Sequence, residues 1–83
     1  MPTPRFAELD TVVLVRDQPQ AGLRAGDLGA VVQVYGAESV EVEFATAAGQ
    51  TQALLTLRVE ELRAVADSDL LAVRQATPKR GAA

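Results

Sequence analysis

Neither cysteine nor histidine occurs in this chain of 83 residues. Without cysteine there is no disulfide and no thiolate metal site. Without histidine the commonest metal ligand is missing, and so is the one side chain that normally titrates near neutral pH. A conventional Ser-His-Asp triad is excluded as well. Ser39 and Ser68 are the only serines, and a Ser–Lys dyad would need Lys79, close to the C-terminus. The aromatic residues are Phe6, Tyr35 and Phe44, too few to build a base-stacking platform. No apolar run approaches the ~18 residues that a membrane span needs. The opening residues Met1 to Arg5 lack the apolar stretch of a signal peptide. The expectation is a cytoplasmic protein with no membrane partner, no catalytic residues, no metal and no cofactor.

A chain of this length forms one domain and buries only about 60–65% of its unfolded surface, so stability rests on one apolar core. Net charge is −3, unevenly spread. Residues 1–73 carry five Arg against eleven Asp and Glu, while Arg74, Lys79 and Arg80 bring positive charge at the end. An acidic body repels phosphate backbones and disfavours nucleic acid as a partner. It suits a basic protein better.

The hydropathy pattern is that of short strands. Leu9 to Arg16 is β-branched and apolar, and Pro19 and Gly22 end it. Leu23 stands alone between Gly22 and Gly26 and reads as a loop anchor dropping into the core. Gly22, Gly26, Asp27 and Gly29 are structural turn residues, with positive φ expected at Gly26 or Gly29. Strands follow at 30–35, 40–44 and 51–57. In the third, Val40, Val42 and Phe44 alternate cleanly with Glu41 and Glu43. Residues 59–63 suggest a short helical turn. Leu70 to Arg74 reads as the last strand after a brief extended piece at 63–65, or else as a short C-terminal helix capped by Asp67 or Ser68. Residues 75–83 read as a loose tail, which leaves 1–74 as the domain. Five short strands at this spacing indicate an all-β fold, a small antiparallel barrel with a short helical turn before its last strand.

The stretch Glu8-Leu9-Asp10-Thr11-Val12-Val13-Leu14, with Asp17-Gln18-Pro19 and Gly22 to Val32, resembles a small bacterial family known as domain of unknown function 4926. The resemblance continues through Val40 to Phe44, Leu54 to Leu57 and Leu70 to Arg74. It implies an SH3-like barrel, and an antitoxin- or immunity-like role. A weaker resemblance links Gly26-Asp27-Leu28-Gly29-Ala30-Val31-Val32 to the glycine turn and valine-rich strand of KOW modules. RNA-binding members of that group usually place Lys and Arg around this loop. Here Arg24 is nearby and Asp27 is beside it.

Two constellations invite a chemical reading and take a structural one. The glycine-rich stretch 22–29 leads into a strand and contains no Lys, unlike a phosphate-binding loop. Glu41 and Glu43 share a strand face but have no base, nucleophile or third ligand beside them, so they read as a solvated face. The feature that stands out is that the first strand is apolar on both faces. Thr11, Val13 and Val15 point one way, Val12 and Leu14 the other. With Val13, Val32, Val34, Val42 and Phe44 assigned to the core, the residues left over form a candidate interface: Val12, Leu14, Val31, Tyr35 and Leu55. Its cover would be residues 62–74 or another chain. The functional expectation is a non-catalytic module that binds another protein or itself as a homo-oligomer. The alternatives are a KOW-like nucleic-acid or ribosome-associated module and a structural self-assembling subunit.

Overall fold

Strand β3 (Ser39–Ala45) forms the middle of the best-paired part of the molecule, and its buried residues are Val40, Val42 and Phe44. The sequence alternation carries straight into the structure because consecutive side chains on a strand face opposite ways. A computed structural model describes residues 4–76 of the protein. The other strands are β1 (Thr11–Leu14), β2 (Leu28–Tyr35), β4 (Thr51–Arg58) and β5 (Leu62–Ala64). All neighbours are antiparallel, in the order β4-β3-β2-β1-β5. Two 3-10 turns complete the elements, at Pro19–Ala21 and Val59–Glu61.

One core cluster takes side chains from all five strands: Val12 and Leu14, Val31, Val40 with Val42 and Phe44, Ala53 with Leu57, and Leu62. A single sheet can gather residues from both of its edges into one cluster only by curling. The Val59–Glu61 turn assists, because it joins the two edge strands directly. Its Val59 is buried, and the Val59 N–H donates to the Glu38 carbonyl at 2.9 Å. The architecture is all-β and antiparallel, compatible with the SH3-like barrel that the resemblance implies. Phe6 and Leu23 plug the cluster from the two loops, Leu23 as the anchor expected between its glycines.

Three sequence expectations are corrected. The inward face of β1 is Val12 and Leu14, not Val13, because Val12 lies opposite Gly29 and Leu14 opposite Leu62. Val32 is not a core residue. The β2–β3 register runs Val31↔Val42 and then Gln33↔Glu41, so Val32 is the extra residue of a bulge and is turned outward. Val31 and Val34 face the core on either side of it. Finally, residues 70–74 are neither strand nor helix. The fifth strand is the short Leu62–Ala64 piece, set by pairing with β1. Of the tail expected at 75–83, residues 77–83 lie outside the described residues.

Candidate functional site

The turn that opens β2 is built around Asp27. Gly22 and Gly26 have φ of +72° and +97°, left-handed conformations that glycine adopts without steric cost. The Asp27 carboxylate accepts the Arg24 N–H at 2.8 Å, while the Asp27 N–H donates to the Arg24 carbonyl at 3.0 Å. Gly29 serves a different purpose from the positive φ offered for it. A Cβ there would lie 2.5 Å from Val42 Cγ1 and 2.9 Å from Phe44 Cε1. The absent side chain is what lets β3 pack closely against the start of β2.

Asp27 also receives the C-terminal segment. Arg74 Nε donates to Asp27 Oδ1 at 2.9 Å, Nη2 donates to Oδ2, and Nη2 reaches the Gly22 carbonyl at 3.2 Å. Nearer to β5, Arg63 makes a second two-pronged pair with Asp69, at 2.8 and 2.9 Å. Asp69 accepts the Ala66 N–H as well, at 2.7 Å. Parallel hydrogen bonds between a guanidinium and a carboxylate are directional and stronger than neutral ones. Residues 65–74 are thereby held as a strap, pinned at Asp69 and at Arg74.

The strap crosses the outer face of β1. Val13 is paired laterally with Leu28 on one side and Arg63 on the other. These three side chains face away from the core, yet Val13 is only 4% exposed and stands outside the core cluster. It lines an open cleft of about 440 Å³ together with Leu28, Arg63 and Asp69 to Arg74. Phe44 and Gln52 line the same cleft. The second face of β1 thus narrows to Val13, with Thr11 and Val15 exposed, and Val13 shares its cleft with the chain's own C-terminal segment.

The electrostatics follow from these contacts. Partial burial pushes the Asp27 carboxyl up. Hydrogen bonds from Arg74 and the Arg24 backbone, with both guanidinium charges, outweigh that and hold it below the usual range. The Arg63 hydrogen bonds, helped by the Ala66 N–H, bring the Asp69 carboxyl down to about 2. Both Arg side chains are raised in turn, first by their bonds to these carboxylates.

The five candidate interface residues do not come together on a surface. Val12, Leu14 and Val31 are fully buried in the core, and Leu55 is half-buried against it. The physical reason is the choice of inward face on β1 and the bulge at Val32. Tyr35 alone sits on the outer face, where its hydroxyl donates to Glu41 Oε1 at 3.0 Å; that bond raises the phenol pKa. Glu41 accepts from Thr56 too, at 3.0 Å, as a solvated outer face would have it. Among the described residues, no group of three or more His, Cys, Asp or Glu could hold a metal ion. No helix among them is long and apolar enough to cross a membrane.

Sequence reading missed the strap and its display of apolar side chains. Leu70, Leu71 and Val73 are 93%, 73% and 100% exposed. The available signal was charge: Arg63 and Arg74 bracket the apolar run, and Asp27 and Asp69 are suitable partners on an acidic body.

Fold and site together define a small all-β domain, one curled antiparallel sheet with a C-terminal segment strapped across its outer face. Residues 8–64 match the family model described as Domain of unknown function (DUF4926), and the chain belongs to that family. The match ends at the close of β5, so the strap lies beyond it, short of the Leu70 to Arg74 stretch included in the resemblance. No curated protein and no solved structure matches the chain.

Proposed function

We propose that this domain is a non-catalytic module that binds another protein, and that the strap is its contact element. The observation that carries the reading is the display of Leu70, Leu71 and Val73 in solvent on a segment clamped at both ends. Scattered exposed apolar residues need no explanation, but three within four positions form a small contiguous patch. The clamps reduce the entropy that a partner must otherwise remove on binding. The acidic body adds long-range attraction for a basic partner. An antitoxin- or immunity-like role in a bacterial cytoplasm is the specific form of this reading that the family resemblance suggested.

The test is recovery of tagged protein from its native host, wild type beside the double variant Leu71→Asp, Val73→Asp. Both positions are exposed, so the sheet is expected to fold in each. A stoichiometric protein partner retained by wild type and lost by the variant is the expected result. A partner held equally by both overturns the role of the strap. Bound nucleic acid that leaves steeply with salt overturns the protein-binding reading in favour of the KOW-like one. A concentration-dependent mass with no other protein attached replaces it with self-assembly.

A further inference from the structure

The two clasps of the strap are not equivalent. Arg63 and Asp69 are six residues apart, and Asp69 also closes its own turn through Ala66. That pair is local to β5 and the turn that follows it. Arg74 and Asp27 are 47 residues apart, so their contact closes a long loop and depends on the strap lying across the sheet. Between the clasps, the backbone of Leu70 to Val73 makes no hydrogen bond among the described residues. In the cleft beside the strap, Val13 is only 4% exposed although it stands outside the core cluster, while its lateral partner Leu28 stays exposed.

We infer that the strap is a hinged cover, closed by the Arg74 clasp on Asp27, hinged at the Arg63–Asp69 pair, and shielding Val13 when shut. Opening it leaves the sheet intact, because no strap residue belongs to the core cluster. This goes beyond the binding reading, concerns the strap's own equilibrium, and is tested with no partner present.

The chain's lack of cysteine supplies the experiment. Val13→Cys introduces a single thiol under the cover, and Val12→Cys introduces one in the core, one residue away on the opposite face. Each is labelled with iodoacetamide in the native chain and in the Arg74→Gln background, which breaks the clasp while leaving the Asp27 turn intact. Expected is a rise of about tenfold or more in the Val13→Cys labelling rate, the factor that corresponds to ~1.4 kcal/mol of clasp energy, with Val12→Cys unchanged. Equal Val13→Cys rates in both backgrounds overturn the proposal. So does a parallel rise at Val12→Cys, which would mean that the whole domain opens. Should a cysteine variant not fold, methyl NMR on the chain without cysteine makes the same comparison. Arg74→Gln should shift the Val13 methyls and leave those of Val12 in place, and unmoved Val13 methyls overturn the cover.

Discussion

Asp27 and Arg74 meet across 47 residues through two parallel hydrogen bonds, and the same aspartate ties the Arg24 turn that launches β2. One carboxylate thus couples the strap to the loop beneath it. Protonating it weakens both contacts together.

Acid should release the strap before it unfolds the sheet. Both carboxylates have folded-state pKa values below the usual 3.8, Asp69 at about 2. A depressed pKa contributes stability that is fully present above the unfolded value and is lost as pH falls through the folded one. The strap should therefore hold down to about pH 4 and detach between there and pH 2. NMR resonances of residues 66–74 should move in that window while the buried methyl resonances of Val12 and Val31 stay. Strap resonances unchanged at pH 2 would contradict the role given to the two aspartates.

Phe44 is the largest side chain of the core cluster, equal in size only to Phe6 at its rim. Phe44→Ala should cost about 3–5 kcal/mol, as large-to-small truncations of buried aromatics do. In so small a domain that is a large part of total stability. Urea denaturation followed by far-ultraviolet circular dichroism measures it. An unchanged midpoint would show that Phe44 does not sit where it has been placed.

Gly26→Ala and Gly29→Ala should both destabilise, for different reasons. At Gly26 nothing lies within 4 Å of an added Cβ, so the penalty is conformational, roughly 1–2 kcal/mol for a left-handed residue. At Gly29 φ is not positive, but the methyl meets Val42 and Phe44, an overpacking cost of about 1–3 kcal/mol. A cavity made by Val42→Ala should relieve the second penalty and leave the first untouched. A double-mutant cycle checks this, and equal coupling to both glycines would remove the distinction.

Leu9 is 85% exposed and holds φ of +75°, the only positive value at a described residue other than glycine. Little packing is lost by replacing it, and asparagine tolerates that conformation far better than leucine. Leu9→Asn should stabilise the domain by about 0.5–1 kcal/mol. A thermal midpoint that falls instead would mean that the Leu9 side chain contributes contacts outweighing the strain.

Local pattern sufficed for much of the sheet. Val40-Glu41-Val42-Glu43-Phe44 has one reading as a strand with one reading of its faces, because polar and apolar residues alternate without exception. The turn at Gly26 was likewise legible, as was the anchoring of Leu23 between glycines. The family could be recognised from the residues of β1, the turn and β2. What tertiary structure alone decided is the face of β1, the bulge at Val32 and the strap. The four residues of β1 carry no charge and a single polar side chain, Thr11, so parity cannot choose between Val12 and Val13. The choice comes from the partners, Gly29 and Leu62, on strands far along the chain. The bulge shifts every later residue of β2 by one, an effect that exists only in the register with β3. The strap depends on a guanidinium and a carboxylate 47 residues apart, and no local propensity records an attraction that acts only once the sheet has curled to bring them within hydrogen-bonding distance.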